Sequence, residues 1–122
     1  MLVTIPALLA AALHVGFFVL ESVLLGKPEF QKRLKVKPEE RDAVRMWALN
    51  QGFYNLMLAA AVVAGVVARM NGQPELGAGL LYGACSTMVG AGVVLFLSAP
   101  HMRGPALMQA LPPALALGAM FA

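Results

Sequence analysis

The sequence predicts an all-α integral membrane protein, a four-helix bundle that forms a single domain over residues 1–122. Hydrophobic residues make up 60% of the chain and charged residues only 12%, whereas a soluble domain carries about 25% charged residues. So few charged side chains cannot cover this much apolar surface in water, and we therefore exclude a soluble globule. A membrane-spanning helix needs about 20 apolar residues. The predicted spans are residues 2–25, 47–68, 76–99 and 104–122.

The first span contains two ionisable side chains, His14 and Glu21, inside an otherwise apolar run. No basic residue precedes this run, which is too long for the apolar part of a cleaved signal peptide, so we expect it to stay in the mature protein. His14 and Glu21 are two helical turns apart and therefore project from one face of the helix.

The connection between the first and second spans, residues 26–46, carries seven of the nine basic residues of the chain. Arg103 adds one more on the same side of the predicted bundle, whereas Arg69 is the single basic residue on the other side. This distribution predicts a cytoplasmic basic loop, non-cytoplasmic N- and C-termini, and a multi-pass protein of a bacterial inner membrane. We expect the basic loop to contact anionic lipid head groups.

The helix of the second span is predicted to begin in the cytoplasm at Pro38, because proline followed by acidic residues is typical of a helix start. We expect no break before Arg69, since membrane helices tolerate glycine. A polar block, Asn50-Gln51-Gly52-Phe53-Tyr54-Asn55, opens the membrane part of this helix. Its four polar side chains form two adjacent stripes, because the members of each pair are four residues apart.

The third span follows a predicted tight turn over Met70–Glu75 and is rich in small residues. Gly79, Gly83 and Gly90 lie on one side of its helix, where small residues allow close helix packing. The partner is either another helix of the chain or a second copy, which would form a homodimer. Cys85 lies in the same apolar run and is interpreted as a small packing residue.

The fourth span contains Pro112 and Pro113 near its middle. Proline removes backbone donors and leaves carbonyls one turn earlier, near Gln109, without helical partners, so we expect a kink at that depth. A rise of about 1.5 Å per residue places several polar side chains of different spans at the same level. They are Glu21, Asn50, Asn55 and Gln109.

Polar side chains inside a span are costly, so each needs a partner, a cavity or a function. We predict a polar pocket open to the cytoplasmic side. Its predicted ligand-binding residues are His14, Glu21, Asn50, Gln51, Tyr54, Asn55 and Gln109. The sharpest expectation is that Glu21 meets an amide of the block 50–55, directly or through one water. The alternative is that these side chains only hold the helices together.

The chain resembles a family of small bacterial four-span inner-membrane proteins catalogued as a domain of unknown function. The matching features are His14 and Glu21, the polar block, and Gln109-Ala-Leu-Pro112 in the fourth span. The resemblance extends over nearly the whole chain, and the block is its most specific part. Ser22-Val23-Leu24-Leu25 replaces an ending that is commonly aromatic-rich. The resemblance implies the fold and the importance of these positions, but no activity.

Three classes of function fit these features. The first is a module that binds or transports a small polar or amphipathic ligand, or protons. The second is a membrane enzyme that uses Glu21 and His14 as acid and base on a lipid-like substrate, and the third is a structural subunit of a membrane complex. We expect no nucleic-acid partner, since no binding motif is present. We also expect no metal site, since the available ligands, His14, Glu21 and His101, lie at different depths. Enzymatic activity, cofactors and the ligand itself are left open.

Overall fold

The computed structural model describes all 122 residues and contains five α-helices and no β-strand. The helices are α1 (Thr4–Phe18), α2 (Pro28–Arg33), α3 (Arg41–Met70), α4 (Pro74–Ser98) and α5 (Arg103–Phe121). A π-helical segment, Val19–Leu24, continues α1. The segments long and apolar enough to cross a membrane are Thr4–Leu24, Pro38–Met70, Pro74–Ser98 and Pro100–Phe121. The prediction of an all-α, four-span membrane protein is therefore confirmed, and the orientation of the termini stays a prediction.

Prolines mark the starts of the helical segments. Pro28 opens α2 and Pro74 opens α4, while Pro38 and Pro100 open short 3₁₀ turns that lead into α3 and α5. Proline suits this position because its φ is already helical and its missing N–H would have no partner there. The predicted helix start at Pro38 is confirmed, and α3 runs without a break to its last turn.

The turn between α3 and α4 closes the end of α3. Gly72 has a φ of +75°, in the left-handed region that glycine adopts without Cβ strain. The Gln73 N–H donates to the Ala68 carbonyl at 2.9 Å, which satisfies one of the last carbonyls of the helix. The tight turn predicted over residues 70–75 is confirmed.

The structure contains one short helix, α2, that the sequence did not predict, whereas the kink expected near Gln109 stays a prediction. The basic loop 26–46 contains α2 and the first turns of α3, so much of it is helical. Helix α5 continues through Pro112 and Pro113, and both prolines are buried. Burial is consistent with the tolerance of membrane helices for proline where the freed backbone groups face protein.

Contacts divide the chain into two compact units, one of Met1–Leu13 with Leu58–Ala122 and one of His14–Met57. The core of the first unit consists of small and medium-sized apolar side chains. Its fully shielded members include Ala7, Ala10, Val62, Leu81, Cys85, Met88 and Ala116. The packing role predicted for Cys85 agrees with this burial.

Three glycines allow close helix contacts in this first unit. A Cβ on Gly65 would lie 2.9 Å from Cγ of Leu81 and 3.1 Å from the carbonyl oxygen of Gly77, so α3 and α4 approach backbone to backbone. A Cβ on Gly92 would lie 2.7 Å from Cβ of Ala110 on α5. Small residues at such crossings are the usual basis of helix packing in membranes.

Gly79, Gly83 and Gly90 are not part of these contacts. A Cβ at any of them would meet no heavy atom within 4 Å. At 3.6 residues per turn they lie opposite Gly77 and Gly92, the glycines through which α4 contacts its neighbours. The contact predicted for this side of α4 with another helix of the chain is therefore not seen at these three glycines, and packing against a second copy stays a prediction.

Candidate functional site

The first span ends in a π-helical segment, Val19–Leu24, which belongs to the second unit. The N–H of Leu25 donates to the carbonyl of Leu20, five residues earlier, at 2.9 Å. A π turn holds an extra residue and often occurs at functional sites. Glu21 and Ser22 both lie on this widened turn.

The π segment packs closely against the polar block of α3. A Cβ on Gly52 would overlap the hydroxyl of Ser22 and lie 3.1 Å from the Cβ and from the N of Ser22. The Ser22 hydroxyl donates to the Leu49 carbonyl at 3.1 Å. The rings of Phe18 and Phe53 meet edge to face, with centroids 5.2 Å apart. Glycine at position 52 therefore lets the π segment approach the backbone of α3.

Glu21 accepts a hydrogen bond from Asn55 across this contact. The Nδ2 of Asn55 donates to Oε2 of Glu21 at 2.7 Å, and Asn55 is only 4% exposed. The predicted contact between Glu21 and an amide of the block is confirmed, with Asn55 as the donor. No protein donor reaches Oε1 of Glu21, so this oxygen has its acceptor capacity available for another group.

A groove of about 540 Å³ lies beside Glu21. Its walls are Glu21, Leu25, Glu40, Ala43, Val44, Trp47, Ala48 and Gln51. The wall residues from 40 to 51 recur every three or four positions and therefore form one helix face. Three walls are polar, Glu21, Glu40 and Gln51, and the rest are apolar. Few polar groups in a mainly apolar cavity of roughly 300–1,000 Å³ are typical of small-molecule sites.

The remaining predicted site residues lie outside the groove walls. Asn50 and Tyr54 are exposed on α3. His14 is completely buried and contacts the ring of Phe17 edge to face, with centroids 5.3 Å apart. Gln109 is partly buried on α5 and belongs to the first unit. Of the predicted set, the structure therefore brings together the carboxyl group of Glu21 and the amides of Gln51 and Asn55.

A buried glutamine, Gln31, connects the two walls of the groove. Its Nε2 donates to the carbonyl of Leu25 at 2.8 Å and to the carbonyl of Arg41 at 3.3 Å. Leu25 follows the π segment and Arg41 begins α3, so one side chain holds the ends of both elements. Gln31 is 3% exposed. The sequence does not indicate this role, because Gln31 stands in a basic loop without a recognisable motif.

These features define a small multi-pass α-helical membrane protein with an open groove between its first two spans. No group of three or more His, Cys, Asp or Glu side chains is placed to hold a metal ion. The chain belongs to the DUF1304 family, described as a protein of unknown function, whose model matches residues 8–121. The resemblance to a four-span family of unknown function is thereby confirmed. No curated protein and no solved structure matches the chain.

Proposed function

We propose that the protein is a binding or transport module of a bacterial inner membrane, and that it holds a small amphipathic ligand in the groove. The observation that carries this proposal is the hydrogen bond from Asn55 to Glu21 at the groove. It fixes one oxygen of the carboxyl group and leaves Oε1 for a ligand. A carboxyl group in a span costs up to about 3 kcal/mol, whereas interhelical hydrogen bonds average about 0.6 kcal/mol. Stability alone is therefore a weak reason for a glutamate here.

The position of the groove along the chain supports an amphipathic ligand. Glu40 and Ala43 precede the predicted membrane segment 47–68, and Gln51 lies inside it. With this predicted boundary, the proposed groove extends from the head-group region into the hydrocarbon layer. Because the basic loop adjoins it, the proposed opening is on the cytoplasmic side.

Acid–base catalysis by Glu21 and His14 has less support. His14 is completely buried and is not among the groove walls, so a substrate in the groove would meet Glu21 but not His14. A general acid or base must reach the reacting proton at hydrogen-bond distance or through one water. The groove therefore favours binding, with or without proton exchange at Glu21, over two-residue catalysis.

Native mass spectrometry of the protein released from its own membrane tests the proposal. We expect a bound small molecule on the wild type and its loss in Glu21→Gln. A glutamine oxygen can still accept the hydrogen bond from Asn55, so this variant should keep its thermal unfolding midpoint in detergent. Glu75→Gln is the matched control, because Glu75 is exposed at the start of α4 and does not line the groove.

Two results would contradict the proposal. One is a well-folded Glu21→Gln protein that retains the same bound molecule. The other is a wild-type protein that carries nothing beyond the bulk lipids found equally on both variants. Either result would favour the structural-subunit alternative.

A further inference from the structure

The charged walls of the groove have a single sign. Both are carboxyl groups, one from Glu21 on the π segment and one from Glu40 at the start of the second span, and no Lys or Arg lines the groove. Glu40 is exposed, and Glu21 has one oxygen without a protein donor. An anion entering the groove would meet two carboxyl groups and no compensating cation.

Three of the seven basic residues of the adjoining loop line other recesses. Lys27 and Arg33 share one recess with Glu29, and Arg45 shares another with Asp42. Although seven of the nine basic residues lie within 26–46, none contributes to the groove walls. The walls of the groove therefore carry none of the positive charge of the loop.

The other walls suit an apolar body with a diffuse positive charge. Leu25, Val44 and Ala48 offer aliphatic surface, and Trp47 offers an indole that is 70% exposed. An indole face attracts cations within about 6 Å of its centroid. Carboxyl, aromatic and aliphatic groups thus occur together on one surface.

Building on the proposed function, we propose that the groove binds lipophilic organic cations. The positive group faces Glu21 and Glu40, and the apolar body lies against Trp47 and Val44. Charge complementarity supplies the selectivity and apolar contact supplies most of the affinity, as is general for such sites.

Fluorescence of Trp47, the single tryptophan of the chain, gives a direct assay. The full-length protein in an uncharged maltoside detergent is titrated with tetraphenylphosphonium and, separately, with tetraphenylborate. These ions have nearly the same shape and opposite charges. We expect a saturable change in Trp47 emission with the phosphonium and none with the borate, and equilibrium dialysis of the phosphonium checks the stoichiometry.

Three matched variants separate the two carboxyl groups from a general charge effect. Glu21→Gln should weaken phosphonium binding about tenfold, because it removes a contact to a charged partner. Glu40→Gln should weaken it about two- to fivefold, since Glu40 is exposed. Glu39→Gln should leave it unchanged, because Glu39 does not line the groove. Thermal unfolding is measured for each variant. If Glu21→Gln does not fold, Glu40→Gln still tests the proposal, because Glu40 is exposed and its replacement should not affect folding.

Equal affinity for the two ions, or wild-type phosphonium affinity in both Glu21→Gln and Glu40→Gln, would overturn the cation preference. No saturable response to the phosphonium would overturn it as well. In each case the proposed function would still stand if native mass spectrometry showed a bound molecule that Glu21→Gln loses. Failure of both experiments would remove the groove as a binding site altogether.

Discussion

Replacing Gly52 with alanine should loosen the contact between the π segment and α3. The added Cβ would overlap the Ser22 hydroxyl and lie 3.1 Å from the Ser22 nitrogen. The hydroxyl is the end of a short side chain, but it is held by the Leu49 carbonyl, and the backbone nitrogen cannot move without moving the helix. The alanine is therefore accommodated only if the two helices separate.

The structure allows the size of this effect to be worked out. Overpacking by one methyl group costs about 1–3 kcal/mol, and loss of the Ser22–Leu49 hydrogen bond adds about 0.6 kcal/mol. The gain from replacing a helical glycine is at most about 1 kcal/mol. With the full gain subtracted, the free energy of unfolding should thus fall by about 0.6–2.6 kcal/mol.

Unfolding by sodium dodecyl sulfate in mixed micelles, followed by circular dichroism, measures this change. Gly16→Ala is the matched control, because Gly16 lies on α1 with no heavy atom within 4 Å of an added Cβ. It should be neutral or stabilising. The double variant Ser22→Gly/Gly52→Ala removes the overlapping hydroxyl and Cβ, and should recover at least about 0.5 kcal/mol relative to the sum of the single changes.

Equal stability of Gly52→Ala and Gly16→Ala would refute the close approach. Strict additivity in the double variant would show that position 52 does not act through Ser22. Either result would also weaken the geometry on which the Glu21–Asn55 contact depends, since the same two helices carry it.

Three further predictions concern the partner, the loop and the topology. Gly83→Leu should leave thermal unfolding of the protomer unchanged, because α4 has open space there, and should shift size-exclusion elution to a smaller species if the predicted homodimer forms through this side. An unchanged elution profile would indicate that this side of α4 faces lipid and not a second copy. Gln31→Leu should lower the free energy of unfolding by about 1–3 kcal/mol, because the Leu25 carbonyl loses its donor and the Arg41 carbonyl loses one of its bonds, whereas exposed Lys32→Leu should not. Reporter fusions after Ala122 and within residues 69–74 should read as periplasmic and a fusion within 32–37 as cytoplasmic, and a cytoplasmic C-terminus would contradict the orientation.

The fold was largely accessible from the sequence because a lipid environment restricts the choices. Backbone groups without water must be paired internally, so an apolar run of the right length becomes a helix. Proline and Gly72 then mark several helix boundaries. The π segment was not predicted, because no residue of Val19–Leu24 distinguishes a π turn from an α turn by its type. Helix α2 was missed for a similar reason, since six residues in a basic loop show no apolar period.

The candidate site could be predicted from the sequence only where a polar side chain inside a span required a hydrogen-bond partner. Depth and hydrogen-bond satisfaction together predicted that Glu21 meets an amide. Depth does not fix the direction in which a helix face points, which is why Gln109 shares the predicted level but not the groove. The apolar walls of the groove were not predictable in this way, because an apolar side chain in a membrane span needs no hydrogen-bond partner. Their spacing after Pro38, with Glu40, Val44 and Trp47 on one face, was the available clue.

The polar block of α3 has two stripes with different surroundings. Gln51 and Asn55 form the stripe turned towards Glu21, one as a groove wall and the other as the donor that fixes the carboxyl group. Asn50 and Tyr54 form the other stripe and are exposed. The proposed ligand would account for the polar character of the first stripe but not for that of the second. Polar side chains on an outer helix face near a membrane boundary need partners outside the protomer, such as head groups or another protein. The hydrogen bond between Asn55 and Glu21 is the contact that the structure shows for this block. A ligand at the first stripe and an external partner at the second stay predictions, and they can be tested separately because the two stripes point in different directions.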